Sequence, residues 1–264
     1  MISIVMAEIV GKVGFCRLLH RNWTGGILKS KASRFEVPTV TATVNTYPRI
    51  PGEEYLDQAI IEGVEGLRDA GRLFHGFKWS LGTSSNYSVV LQRDPLRLLL
   101  TSSGNDKRLL REGDFVVVDA TGKSLVDGCH GKPSAETGLH LLLAELPETG
   151  AVLHTHSVWS TLLTDRFGEV GFTLEKFEML KGLAGITTHE TSKRVEVFAN
   201  DQDIARLSER VRPRVMDRDN PLKHGFLLER HGLYTWGKSL AEARRHIEIF
   251  EFLFEVLGRK VQTG

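Results

Sequence analysis

The sequence predicts a mixed α/β unit in which a sheet is covered by helices. Short valine- and leucine-rich runs alternate with segments of helical periodicity, the C-terminal end carries one long amphipathic helix, and no internal repeat or low-complexity tract intervenes. At 264 residues, 41% of them hydrophobic, the chain can bury one sizeable core. One main domain over residues 51–264 is therefore expected. Residues 1–50 read as a leader, either disordered or a misassigned start: the stretch from Lys12 to Arg34 carries Arg17, Arg21, Lys29 and Lys31 with no acid, as transit segments do.

The first helix is expected from about Pro51, with Leu56, Ile60, Ile61, Val64 and Leu67 on one face and Gly71 as its stop. Strands follow at Ser85 to Leu91, Arg97 to Thr101 and Phe115 to Asp119, each bounded by Gly, Asp or Pro. Pro133 precedes a helix predicted over Ser134 to Leu146. An apolar run from Gly150 to Ser157 reads as a buried strand, followed by a helix from Ser157 to Thr164 and a loop leading into Glu175 to Leu183. Asp201 caps a helix to Val211, and strands are expected around Phe226 and Leu233. The last helix spans Ser239 to Leu257, with a serine cap, Glu242 in its first turn, and Gly258 as its stop.

Charge and cysteine content narrow the function. A net charge of +1, with no basic stripe, gives no reason to expect nucleic acid, and no run is apolar enough to span a bilayer. Small-molecule partners are expected. Cys16 and Cys129 are too few for a disulfide framework and read as free thiols of a cytoplasmic protein.

The informative motif is His154-Thr155-His156 inside the buried strand. Alternation sends both imidazoles to one face, where each ring nitrogen needs a partner. A divalent metal satisfies both at once, and a hydrogen-bonded core pair is the competing reading. His231, at the end of an apolar strand and beside Gly232, supplies a third nitrogen, leaving a fourth position for substrate. His20, His75, His130, His140, His189, His224 and His246 lack such context and read as surface or core residues.

Two hydroxyl-rich turns, Gly82 to Ser88 and Thr101 to Asn105, and the helix start at Lys132 to Glu136 can each offer N–H and O–H groups to an oxyanion. Either turn alone is commonly just a polar turn. Together with a metal site they point to a phosphorylated substrate. Glu136 reads as a helix N-terminal charge or a base. Glu178, in a largely apolar stretch, is a candidate for a desolvated acid of raised pKa.

Four motifs in order, Lys132-Pro133-Ser134-Ala135-Glu136-Thr137, Ala151 to Ser157, Glu178-Met179-Leu180-Lys181-Gly182 and Arg230 to Gly237, resemble the class II aldolase/adducin family over roughly Tyr55 to Gly258. The resemblance implies a three-layer α/β/α fold with a largely antiparallel central sheet, a homotetramer, and one zinc ion per subunit on His154, His156 and His231. It implies a hydro-lyase that removes water from a methylthio-substituted ketose 1-phosphate through a zinc-stabilised enediolate, with Glu178 as the acid-base residue. In aldolases of the family the position of Glu136 is a metal ligand and base, and in dehydratases it can be a cysteine. Phosphate contacts would fall on Ser85, Asn86, Ser103, Gly104 and Ser134. Aldol cleavage or epimerisation of another sugar phosphate, and a non-catalytic scaffold like adducin, are the alternatives the family leaves.

Overall fold

The computed structural model describes residues 7–9, 16–18, 47–126 and 130–263. The chain divides into two units, Met1–Val44 and Asn45–Gly264. In the first, β1 (Ala7–Ile9) pairs antiparallel with β2 (Cys16–Leu18). The expected leader otherwise falls outside the described residues up to residue 46, as does Cys129.

The second unit opens with α1 (Asp57–Gly76), whose Ile60, Val64, Leu67, Ala70 and Phe74 are buried at three- and four-residue spacing. Gly71 does not stop it. A Cβ there would lie 2.2 Å from the Lys107 carbonyl oxygen, so the residue is a site of close packing inside the helix. Next come β3 (Asn86–Arg93), β4 (Leu96–Thr101) and β5 (Phe115–Val118), then α2 (Thr137–Ala144) and β6 (Ala151–Thr155). The second helix begins three residues later than expected because Ser134 organises a turn first: its carbonyl accepts from Thr137 N–H at 3.1 Å and its hydroxyl from Glu136 N–H at 3.2 Å.

Ser157 caps α3 (Val158–Phe167) reciprocally with Ser160. A small sheet of β7 (Phe172–Glu175) and β8 (Ser192–Val195) and a two-residue strand β9 (Val197–Phe198) follow, all short and absent from the sequence reading. In α4 (Ile204–Val215) the cap is Asp203, not Asp201, whose carboxylate holds Arg206 and Arg210 instead. The chain closes with β10 (Gly225–Leu228), β11 (Gly232–Gly237) and α5 (Leu240–Thr263). This last helix runs through Gly258, where a Cβ would sit 2.4 Å from the Trp159 ring.

The central sheet has the order β5-β4-β3-β6-β11-β10-β9, and every pair is antiparallel except β9 with β10. One face packs Tyr87, Leu153 and Leu233 against α1 and α5 through Phe74, Ile247 and Phe250. The other packs Val152, Phe226 and Tyr234 against α2 and α4 through Leu139, Leu143, Leu207 and Val211. Strands covered on both faces are predominantly apolar, which is why β5, β10 and the first three residues of β6 read as continuous hydrophobic runs. The result is three layers, α/β/α, with the strand that carries His154 at the centre of the sheet.

Candidate active site

Antiparallel pairing of β6 with β11 sets Tyr234 opposite His154 and Leu233 opposite Thr155. His231 lies in the tight turn that joins β10 to β11, after Arg230 in the left-handed region (φ 50°). Gly232 is what lets this turn lie against β6: a Cβ there would stand 2.1 Å from the Thr155 carbonyl and 3.0 Å from the His154 ring. His156 is held at the end of its strand by its own N–H, which donates to the Trp79 carbonyl at 2.7 Å.

The three rings converge. One nitrogen from each of His154, His156 and His231 lies within 4.8 Å of the others. The Nε2 of His154 is 2.8 Å from that of His156 and 3.4 Å from that of His231. Tetrahedral coordination with bonds of about 2.0–2.1 Å would space such nitrogens about 3.3 Å apart, so the cluster has the dimensions of a metal site. The tautomers agree. His154 Nδ1 donates to the Leu233 carbonyl at 3.0 Å and His231 Nδ1 to Asn200 Oδ1 at 3.2 Å, which turns a bare Nε2 of each toward the centre. Burial, reinforced by the neighbouring imidazoles, drives the His154 pKa well below its ordinary value; burial and His231 push His156 down to about 3. Neutral imidazoles are the form that binds metal. A hydrogen-bonded core pair would need His156 to carry its proton on Nε2 and donate it to the bare Nε2 of His154, and it would leave His231 without a share in the contact.

Glu136, at the N-cap of α2, faces this cluster, with Oε1 3.3 Å from His231 Nε2 and Oε2 3.6 Å from His154 Nε2. Asn86 donates to Oε2 at 2.5 Å and to the Ser134 hydroxyl at 3.3 Å. Tyr234 lies flat on His154, ring centroids 4.0 Å apart, and burial beside the Glu136 carboxylate keeps its phenol protonated.

The polar segments also meet here. Ser103 N–H donates to the Lys132 carbonyl at 2.9 Å, and the Lys107 ammonium bridges the carbonyls of Asn105 at 2.7 Å and Thr83 at 3.3 Å. Ser85 is in the left-handed region (φ 72°) with its hydroxyl donating to the Trp79 carbonyl at 3.4 Å; Gly104 is likewise left-handed (φ 81°) and exposed. Ser85, Ser103, Gly104 and Ser134 thus share one neighbourhood. Asn86 differs from expectation: both its amide hydrogens are taken by Glu136 and Ser134, which leaves no side-chain donor for a phosphate.

Glu178 also departs from its sequence reading. It begins a 3-10 turn (Glu178–Gly182), its side chain is 67% exposed, and it pairs with Lys181 and His189. The Lys181 ammonium holds its pKa below the ordinary carboxylate value, opposite to the raised pKa expected from its apolar neighbours. Local hydrophobicity misled because Phe177, Met179 and Leu180 turn to the core while Glu178 turns out. Asn200, Lys107 and Tyr234 were not singled out in the sequence. Of these only Tyr234 left a signal, since strand alternation fixes which face it shares with its partner on β6.

A family model described as "Class II Aldolase and Adducin N-terminal domain" matches residues 65–257. The chain belongs to this family. Within the class II aldolase and adducin family, it is 48% identical over 203 residues, 76% of its length and 93% of the relative's, to the methylthioribulose-1-phosphate dehydratase of Pseudomonas aeruginosa (strain UCBPP-PA14). It is 47% identical to that of Serratia proteamaculans (strain 568), over 67% of this chain and 84% of the relative. Solved class II aldolase folds superpose on it. An L-fuculose 1-phosphate aldolase matches with a TM-score of 0.63 at 22% identity, covering 77% of this chain and 88% of its own. YgbL of Escherichia coli matches at 0.60 and 26%, covering 73% and 86%. Among the described residues no helix is long and apolar enough to cross a membrane.

Proposed function

We propose that this chain removes water from methylthioribulose 1-phosphate, as its 48%-identical relatives are named for doing, giving the 2,3-diketo-5-methylthiopentyl 1-phosphate in methionine salvage. The observation that carries the reading is the meeting of three imidazoles and one carboxylate in a chain aligned with 93% of such a relative. Zinc, one per chain, is the metal assigned, since three nitrogen donors suit a borderline cation. Bound there, it would act as a Lewis acid on the substrate's ketone and make the adjacent C–H acidic.

The chain's own groups supply the rest. Of the acceptors the sequence leaves open for the C3 proton, Glu136, Glu178 and water, the reading assigns it to Glu136, whose Oε1 faces the histidines and is not engaged by Asn86. Ser85, Ser103, Gly104 and Ser134 are assigned to the phosphate, with the Lys107 charge fixed beneath two of the loops. Glu178 is assigned the proton for the departing C4 hydroxyl on the strength of its motif. In the single chain Lys181 engages it, so that role requires the ion pair to open or a second copy to bring the segment to a neighbour's site. A homotetramer in the cytoplasm belongs to the same reading.

Mass spectrometry of the purified protein with methylthioribulose 1-phosphate tests it. The expected product is lighter by one water with its carbon chain whole. Shorter fragments would favour aldol cleavage, the reading that the carboxylate at Glu136 leaves next in line, and an unchanged mass would leave epimerisation, which chromatography of the sugar phosphate detects, or a scaffold role.

A further inference from the structure

Glu136 is held from behind by a file of buried polar side chains. Asn86 and Ser88 lie two apart on β3 and so share the sheet face that Asn86 shares with His154, its partner across the register. His140 lies one helical turn after Glu136 and is fully buried over that face. Its Nε2 bonds the Asn86 side-chain oxygen and its Nδ1 lies 2.7 Å from the Ser88 hydroxyl.

The donors in this file have one consistent assignment. Asn86 spends its amide hydrogens on Glu136 and Ser134, so its oxygen must accept, and His140 Nε2 must carry the proton. A neutral imidazole then has a bare Nδ1, and Ser88 donates to it. Turning the Asn86 amide over would set its oxygen against the Glu136 carboxylate, leaving two acceptors face to face. Burial pushes the His140 pKa down to about 3, so the ring stays neutral and the direction of the file does not change near neutral pH.

We propose that His140 is a positioning residue: through Asn86 it fixes the Glu136 carboxylate with Oε2 engaged and Oε1 turned to the histidine cluster. The inference rests on Glu136 being the proton acceptor of the proposed reaction. It also explains why Asn86 has no donor left for a phosphate, and why a histidine with no sequence context is buried with both nitrogens satisfied.

Two measurements test it on the full chain. Long-range ¹H–¹⁵N spectra of histidine-labelled protein should show His140 as the neutral Nε2–H tautomer; an Nδ1–H or charged ring would overturn the file. In the metal-loaded enzyme, His140→Leu should lower kcat about 10- to 100-fold with metal content kept and KM within about threefold, and His140→Gln, which retains a donor, should recover most of the loss. In a Glu136→Gln background the same His140→Leu change should cost less than about twofold, because the group it positions is gone. Losses that multiply would make His140 a merely structural residue. If His140→Leu does not fold, Ser88→Ala carries the same comparison: a loss in the wild type and none in the Glu136→Gln background, with equal losses overturning the proposal. Wild-type turnover by Glu136→Gln itself would instead sink the underlying reading of Glu136, and the positioning role with it.

Discussion

His154 donates its Nδ1 proton to the Leu233 carbonyl at 3.0 Å, so the backbone of the neighbouring strand decides which nitrogen faces the candidate metal site. A side chain fixed this way loses little freedom on binding a cation. His154→Ala should therefore leave less than about a tenth of the wild-type metal content after identical loading, since only two of the three nitrogens remain. Elemental analysis of the purified variant checks this, and full loading would remove His154 from the ligand set.

Gly232 is a functional residue by its smallness. A methyl group would meet the Thr155 carbonyl at 2.1 Å and the His154 and His156 rings at 3.0 and 3.1 Å. Gly232→Ala should cost about 1–3 kcal/mol of stability and weaken metal binding at the same time, because the strands that carry the ligands must separate. Chemical denaturation and metal titration of the variant measure the two effects.

Glu251, on α5, is buried behind the histidine strand, with one carboxylate oxygen 3.4 Å from the Thr155 hydroxyl and the other without a partner. Burial raises its pKa from 4.5 to about 7, against the lowering effect of the Ser157 and Thr155 hydroxyls. Between these values the unfolded chain has released a proton that the folded chain keeps. Stability from this group is present below pH 4.5 and falls as pH rises through about 7. Glu251→Gln, which cannot ionise, should gain up to about 3 kcal/mol over wild type at pH 8 and nothing at pH 4. Urea unfolding at the two pH values reads the difference, and a gain that is equal at both would contradict the assignment.

Glu178→Gln tests the proton donor. General acid catalysis is commonly worth about 100- to 10,000-fold, so turnover should drop by that order while metal stays bound. Unchanged turnover would take Glu178 out of the mechanism and leave the Lys181 ion pair as its role.

Much of this was legible in the sequence because it follows from periodicity. Strand alternation alone put His154 and His156 on one face, and the apolar runs of β6 and β10 marked strands buried on both sides. Glycines were misread as helix stops at positions 71 and 258, since sequence does not distinguish a residue that ends a helix from one that lets Lys107 or Trp159 approach it. The short strands β7, β8 and β9 escaped because three of the four residues of β8 are not buried and a two-residue strand has no period. Yet β9 leads directly to Asn200, the partner of His231. The role of His140 was hidden for a different reason: its partners Asn86 and Ser88 lie more than fifty positions away, and only the fold brings them together.

The central claim is that three imidazoles from two segments hold one cation. Anomalous diffraction from crystals of the protein loaded with zinc tests it most directly. The account predicts a single strong peak about 2.0–2.1 Å from Nε2 of each of His154, His156 and His231. A peak out of reach of His231, or none between the three rings, would contradict it.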